Sequence, residues 1–517
     1  VYIYSGMNFG PYQFLLPWIN KRSDEYGGSL ANRVRLTREI VEDMKEAVGD
    51  ACAVALRFST DELLRVPGET MESEAHEIIS MLSDVPDLWD LKSSSWVVET
   101  ATARFSEQGA QEPWVRFAKP LTSSPVVGVG RFTSPDEMVS QIKRGVLDLV
   151  GAARPSIADP FLPKKIDEGR EDEIRECIGC TICVSGYHDC VPIRCTQNPT
   201  MGEVWRRGWH PERIPAGDPG QSVLIVGAGP AGLECARALA QRGLAVTLAE
   251  AREELGGRVS IESKLPGLAT WARVRDYRSN LLKTMGNVDI YRGSELSAQD
   301  VIDFGCDYAV IATGAKWTRE ILGANGYPSS GLEGHAVFTP DDVLAGADLE
   351  GPIVIYDFDH YYMGGCLAEL LRQRGQEVTI VTNANAISAW TFMNNEVVEI
   401  RSRLLELGVG TVLEQRLTGF ENGRVELTSI YRDRSVTSID CGSLVVVGVR
   451  TANDDLFQAL NSDPDSLADA GISSLRGIGD CRFPGAIVHA VYSGHECART
   501  IDDDGSPGEF KWERPEL

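Results

Sequence analysis

Apolar positions in the first 165 residues fall into short runs separated by longer amphipathic stretches. The runs at 1–4, 52–57, 87–92, 125–130 and 147–152 predict strands, and the segments between them, such as 31–48, have helical periodicity. Regular strand–helix alternation predicts a parallel sheet or a barrel. Five units at roughly 30 residues each match the spacing of an eight-unit TIM (β/α)8 barrel and would leave three units upstream. Residues 1–165 are therefore expected to be the C-terminal part of such a barrel.

At 222 the pattern changes to a fully apolar strand, Ser-Val-Leu-Ile-Val, that runs through glycines into a helix. A second set of this kind follows, with strand 352–356, helix 364–375 and strand 377–382. The expected organisation is α/β throughout. A barrel part (1–165) leads through a linker (166–220) into two nested Rossmann-like domains, one from 221–345 with 441–517 and an inserted, degenerate NAD-type domain at 346–440. Composition narrows the function. A net charge of −25 argues against nucleic acid or anionic membrane as partners. No run of 18 apolar residues and no basic-then-apolar leader is present, so neither a membrane span nor a signal peptide is expected. The twelve cysteines are scattered apart from one group, which favours a reducing cytoplasm over a disulfide framework.

That group is Cys177-x2-Cys180-x2-Cys183, with Cys195 following after eleven residues. Three thiolates within seven residues can wrap one corner of a [4Fe–4S] cluster, and a fourth can arrive from a separate turn. Zinc loops usually present cysteine pairs from two knuckles instead. Gly227-x-Gly229-x-x-Gly232 sits between a strand and a helix, with Glu250 ending the next strand, the pattern of an ADP-containing dinucleotide site. The second set lacks this loop and reads Asp357-Phe358-Asp359-His360-Tyr361-Tyr362-Met363-Gly364-Gly365, whose carboxylates and aromatic rings oppose a pyrophosphate. In the barrel part, Gly128–Arg131 (with Gly130) and Gly151–Arg154 (with Ala153) close the last two strands, where such barrels bind phosphate. Arg57 ends strand 52–57 and suits the anionic edge of a flavin ring. Tyr4, Trp96 and Tyr187 could form aromatic walls, which attract alkylated ammonium groups.

Tyr26-Gly27-Gly28-Ser29 with Asn32 and Arg33, the Gly128–Arg131 and Gly151–Pro155 segments, the cysteine group with Thr196-Gln197-Asn198, and Gly227–Gly232 stand in one order along the chain. In this the sequence resembles the trimethylamine and dimethylamine dehydrogenases, relatives of 2,4-dienoyl-CoA reductase and old yellow enzyme. The resemblance implies FMN in the barrel, near Arg57, Gly130, Arg131, Ala153 and Arg154, and a [4Fe–4S] cluster on Cys177, Cys180, Cys183 and Cys195, with Cys190 a bystander. It implies ADP, or alternatively FAD, at Gly227, Gly229, Gly232 and Glu250. It further implies a small-molecule amine substrate, an electron-transfer flavoprotein as acceptor, and a homodimer. Tyr4 matches the family's active-site tyrosine, Glu99 stands where the family has an aspartate, and Trp96 and Tyr187 match two aromatic walls. Met7 replaces the family's histidine. Where the barrel's enone reductases hold an enolate and donate a proton, this chain has Tyr4, Met7 and Phe9, and neither Met nor Phe can do either. The alternatives are an NADPH-dependent enoyl reductase and a non-catalytic electron carrier.

Overall fold

The computed structural model describes residues 1–7, 9–60, 72–93, 95–321, 332, 334–432 and 436–503. The end of the expected 441–517 segment, from 504 on, lies outside the described residues. The chain divides into two compact units, Val1–Glu171 and Asp172–Leu517.

In the first unit five parallel strands hydrogen-bond in chain order: β1 (Tyr2–Ser5), β2 (Ala55–Ser59), β3 (Leu88–Lys92), β4 (Val126–Gly128) and β5 (Leu149–Val150). Side chains alternate across a strand, so register decides which ones meet. Ile3 pairs with Leu56 and Leu56 with Trp89, and these three pack in a core with Val34 and Val41 of the helix Leu30–Val48. One position on, Tyr4 pairs with Arg57 and Arg57 with Asp90, which places a polar row on the opposite face. Lys92 follows Asp90 on that face and ends β3. The Gly-Gly-Ser motif fastens the long helix. Ser29 accepts the Asn32 N–H at 3.3 Å, Asn32 Nδ2 donates to Gly27 O at 3.0 Å, and Arg33 Nε donates to Gly28 O at 3.3 Å.

The second unit contains two five-stranded parallel sheets. The first is ordered 474–477, 308–311, 222–226, 245–249, 288–291. Its chain order reverses between 222–226 and 308–311, where open α/β sheets leave a crevice. The second sheet is ordered 337–338, 443–447, 353–357, 378–381, 410–412, and is followed by an antiparallel meander of 415–421, 424–429 and 436–440. The second sheet thus takes strands from both sides of the expected 346–440 insertion. Leu444–Val447 is fully apolar, and hydrophobic pattern alone does not say which of two buried sheets such a strand joins. Among the described residues no helix is long and apolar enough to cross a membrane.

Candidate functional site

The polar row of the first unit is a partly buried charge cluster toward the C-terminal ends of β1 to β3. Arg57 Nη1 donates to Asp90 Oδ2 at 2.9 Å, and Arg57 Nη2 lies 3.5 Å from Glu99 Oε1. Lys92, with no exposed surface, places Nζ 3.0 Å from Glu99 Oε2. The Tyr4 ring has Arg57 at 5.6 Å and Lys92 at 5.7 Å from its centroid. Its hydroxyl donates to Met7 Sδ at 2.9 Å, and Phe9 packs edge-on at 5.1 Å. Burial works against the Arg57 charge, but Asp90 and Glu99 outweigh it and raise its pKa above the ordinary value. Burial pushes the Asp90 carboxyl up, against the pull of Arg57. Arg57 Nε and the hydroxyls of Ser5, Ser59 and Ser93 are buried at these strand ends without a hydrogen-bond partner. Donors left open there fit a ligand that brings its own acceptors, as the edge of a flavin ring does.

The structure brings Tyr4, Arg57 and Glu99 together. Trp96 starts the short helix Trp96–Thr100 that carries Glu99. Arg154 fastens the end of that helix, with Nη2 donating to Glu99 O at 2.7 Å and Nη1 to Ala101 O at 3.0 Å. Arg131 donates to Ser106 O, and Gly130 O accepts the Gly109 N–H at 2.8 Å. Both arginines therefore hold backbone carbonyls of the 99–106 segment. Ala153 opens the helix Ala153–Ala158. Tyr187 belongs to the second unit and is exposed.

In the second unit the cysteine segment is tied down from several sides. Gly179 N–H donates to Cys177 Sγ at 3.3 Å, Cys180 Sγ lies 3.2 Å from Thr196 Oγ1, and Arg273 Nη1 donates to Cys177 O at 3.1 Å. Burial pushes the Cys195 thiol up to about 12, with Cys177 and Cys183 adding to the rise. It also raises Cys180, with Cys177 and Cys195 contributing. The four thiols thus act on one another, while Cys190 is exposed. Thiols sharing one buried pocket give up their protons only to an electropositive centre. Among the described residues no three His, Cys, Asp or Glu side chains are gathered as a ligand set for an ion. Four cysteine thiolates are the donor set of [4Fe–4S] clusters. The donor chemistry fits a cluster.

A cavity of about 2520 Å³ runs from Gly227, Gly229 and Glu250 past Thr313 and Tyr362 to Cys180 and Thr196. An added Cβ on Gly227, whose φ is +104°, would lie 2.4 Å from Ala312 O, and one on Gly232 would lie 1.9 Å from Gly227 O. On Gly229 it would meet nothing within 4 Å. The first and third glycines are required by the fold itself. The second keeps a side chain out of the cavity at the N-terminus of the helix Pro230–Gln241, as a cradled pyrophosphate demands. Glu250 accepts the N–H groups of Ala228 at 2.7 Å and Arg252 at 3.0 Å, which shapes the loop from below. In the second sheet Asp357 takes the corresponding place. An added Cβ on Gly364, in the first turn of the helix Met363–Gln373, would lie 2.8 Å from Asp357 Cγ.

Two groups of residues escape sequence reasoning. Asp90 and Lys92 interrupt an otherwise apolar strand, and that interruption is a readable signal. The other group is a fully buried network in which Arg278 donates to Glu234 Oε2 at 2.7 Å, to Gln197 Oε1 at 2.9 Å and to Gln197 O at 3.1 Å. Glu234 also pairs with Arg237 at 2.6 Å and His495 at 2.9 Å. Burial alone would raise Glu234, but Arg237 and Arg278 hold it well below the usual carboxylate range.

Comparison with known proteins agrees with this division. Residues 1–173 match the NADH:flavin oxidoreductase / NADH oxidase family, and residues 221–468 match the pyridine nucleotide-disulphide oxidoreductases. The chain is 37% identical to dimethylamine dehydrogenase of Hyphomicrobium sp. (strain x), over 97% of this chain and 72% of that relative. The structure of histamine dehydrogenase from Rhizobium sp. 4-9 superposes with a TM-score of 0.95 at 46% identity, covering 100% of this chain and 76% of that one. That of 6-hydroxypseudooxynicotine amine oxidase from Pseudomonas geniculata N1 gives 0.90 at 43% identity, covering 97% and 75%. Barrel strands carrying a half-buried arginine, in a chain with a glycine-loop nucleotide domain, define an FMN-dependent flavoprotein oxidoreductase. Within that class the chain belongs to the dimethylamine dehydrogenase family.

Proposed function

We propose that the protein oxidises the C–N bond of a secondary or tertiary amine, or of an N-methylated amino acid. Bound FMN would supply the acceptor for a hydride equivalent from the carbon beside nitrogen, and water would hydrolyse the resulting iminium to a smaller amine and an aldehyde. The observation that carries this reading is the joining of Tyr4, Glu99 and Arg57 at one set of strand ends, with Met7 and Phe9 against the tyrosine. A thioether and a phenyl ring donate no proton to an enolate, which weighs against enone reduction.

In this reading Tyr4 and Glu99 orient the amine, and Trp96 and Tyr187 supply aromatic wall. Arg57 faces the flavin ring, while Gly130, Arg131, Ala153 and Arg154 line the approach to its phosphate. Cys177, Cys180, Cys183 and Cys195 would hold a [4Fe–4S] cluster, which would supply one-electron transfer. Gly227, Gly229, Gly232 and Glu250 hold ADP rather than FAD. The acceptor is an electron-transfer flavoprotein, consistent with a buried Asp357 taking the place of the first glycine of a phosphate loop in the second sheet. The enzyme works as a cytoplasmic homodimer.

Anaerobic mixing with a panel of secondary and tertiary amines tests this. Bleaching of the oxidised flavin band is expected with at least one member, and a flavin left oxidised by all of them sinks the proposal. A second reading is NADPH-dependent enoyl reduction; the chain's 32% identity to NADH oxidase of Thermoanaerobacter brockii supports only its need for a nicotinamide donor. Rapid flavin reduction by NADPH would favour it.

A further inference from the structure

Lys92 is fully buried, and the proposed amine chemistry does not by itself call for it. An ammonium group removed from water costs several kcal/mol unless a charge partner offsets it. Its partner is Glu99, 3.0 Å away. The pairing acts in both directions, because it also occupies the carboxylate expected to face the substrate. Among the described residues, the charged groups around that carboxylate come from β1, β2 and β3. Arg57 approaches from β2 and Lys92 from β3, Asp90 adds a second carboxylate from β3, and Tyr4 adds a phenol from β1. Arg154 meets only the backbone of Glu99. Among the described residues, two cations and two carboxylates leave no net negative charge there. The Tyr4 ring is taken as well, since both cations already lie within 6 Å of it.

An aliphatic amine is an ammonium ion in neutral water, with a pKa near that of lysine, about 10.4. An ammonium nitrogen has no lone pair and cannot form an iminium. A bare carboxylate beside it would hold the proton on, whereas a neutralised carboxylate exerts little such pull. We propose that Lys92 is a positioning residue that neutralises Glu99, so that this site takes its amine as the neutral base rather than as the ammonium ion. The inference rests on the amine-oxidising reading above.

Tetramethylammonium, a cation with no proton to lose, is the probe. In calorimetric titration of the flavin-loaded protein it should bind Lys92→Met about tenfold more tightly than wild type, and the Lys92→Met/Glu99→Gln pair should lose that gain. In rapid mixing with an amine, the pH midpoint of flavin reduction should move up by about one unit in Lys92→Met, a shift that a merely structural role would not produce. Equal tetramethylammonium affinity in wild type and Lys92→Met, or a gain that survives in the double variant, overturns the proposal. If Lys92→Met does not fold, Glu99→Gln decides. Its uncompensated Lys92 should gain affinity for acetate, and unchanged acetate binding overturns the proposal. Should no amine reduce the wild-type flavin, the amine-oxidising reading fails, while the titrations still report on the Lys92–Glu99 pair.

Discussion

Asp357 shows what one buried carboxyl does to the pH dependence of the fold. Oδ1 accepts the His360 N–H at 3.1 Å, and Oδ2 is buried without an aligned donor. Burial, with Asp359 adding, pushes its pKa up to about 7. A folded pKa above the unfolded value means that the contribution to stability is fully present below about pH 4 and is lost as pH rises through 7. Asp357→Asn should therefore match wild type near pH 4 and exceed it by on the order of 3 kcal/mol at pH 8. Urea midpoints across that range check this, and a difference that stays flat with pH refutes it. The sequence shows this residue only as an obstacle to pyrophosphate. Its degree of burial comes from Gly364 and the helix start closing over it, a tertiary fact with no trace in local pattern.

At the scale of elements, the glycine loop was readable because its constraints are local. Close backbone approach and positive φ select glycine at fixed spacing whatever the surroundings. The barrel strands were readable from their apolar runs, but their ends were not: the second strand was expected at 52–57 with Arg57 closing it, and it runs Ala55–Ser59 with Arg57 at its middle. The Tyr4–Arg57–Asp90 row was not readable either. It depends on the register of three strands far apart in the chain, and a slip of one residue would send each side chain to the other face. The glycine loop also separates fold from binding. Gly229→Val should leave the melting temperature nearly unchanged but strip the nucleotide, measured as adenine released on denaturation. Gly232→Ala should lower the melting temperature, because its Cβ has no room beside Gly227 O. Nucleotide retention at wild-type level in Gly229→Val would show that the loop is not a phosphate cradle.

For the molecule as a whole, the two units divide the expected work, with the charged strand ends in one and the thiols and glycine loop in the other. Cys180→Ser should abolish the iron–sulfur absorbance and the bound iron, while Cys190→Ser, at an exposed position, should retain both. Equal iron content in the two variants would contradict the assignment of ligands. Arg278→Met should cost on the order of 3 kcal/mol, because it strips a buried carboxylate of one of its cations, and a denaturation curve measures this.

The same arginine fixes an order of events during synthesis. Gln197 lies two positions past Cys195; its amide donates to Glu176 O and Arg273 O, and its oxygens accept from Arg278, itself braced by Glu234 on the glycine-loop helix. The thiols leave the ribosome first and their brace last, since a chain is made from its N-terminus onward. The cysteine loop is therefore a late-setting part. A chain cut short before position 278 would keep the bonds from Gly179, Thr196, Thr270 and Arg273 to the cysteine loop but lack the buried cation that Glu234 and Gln197 share.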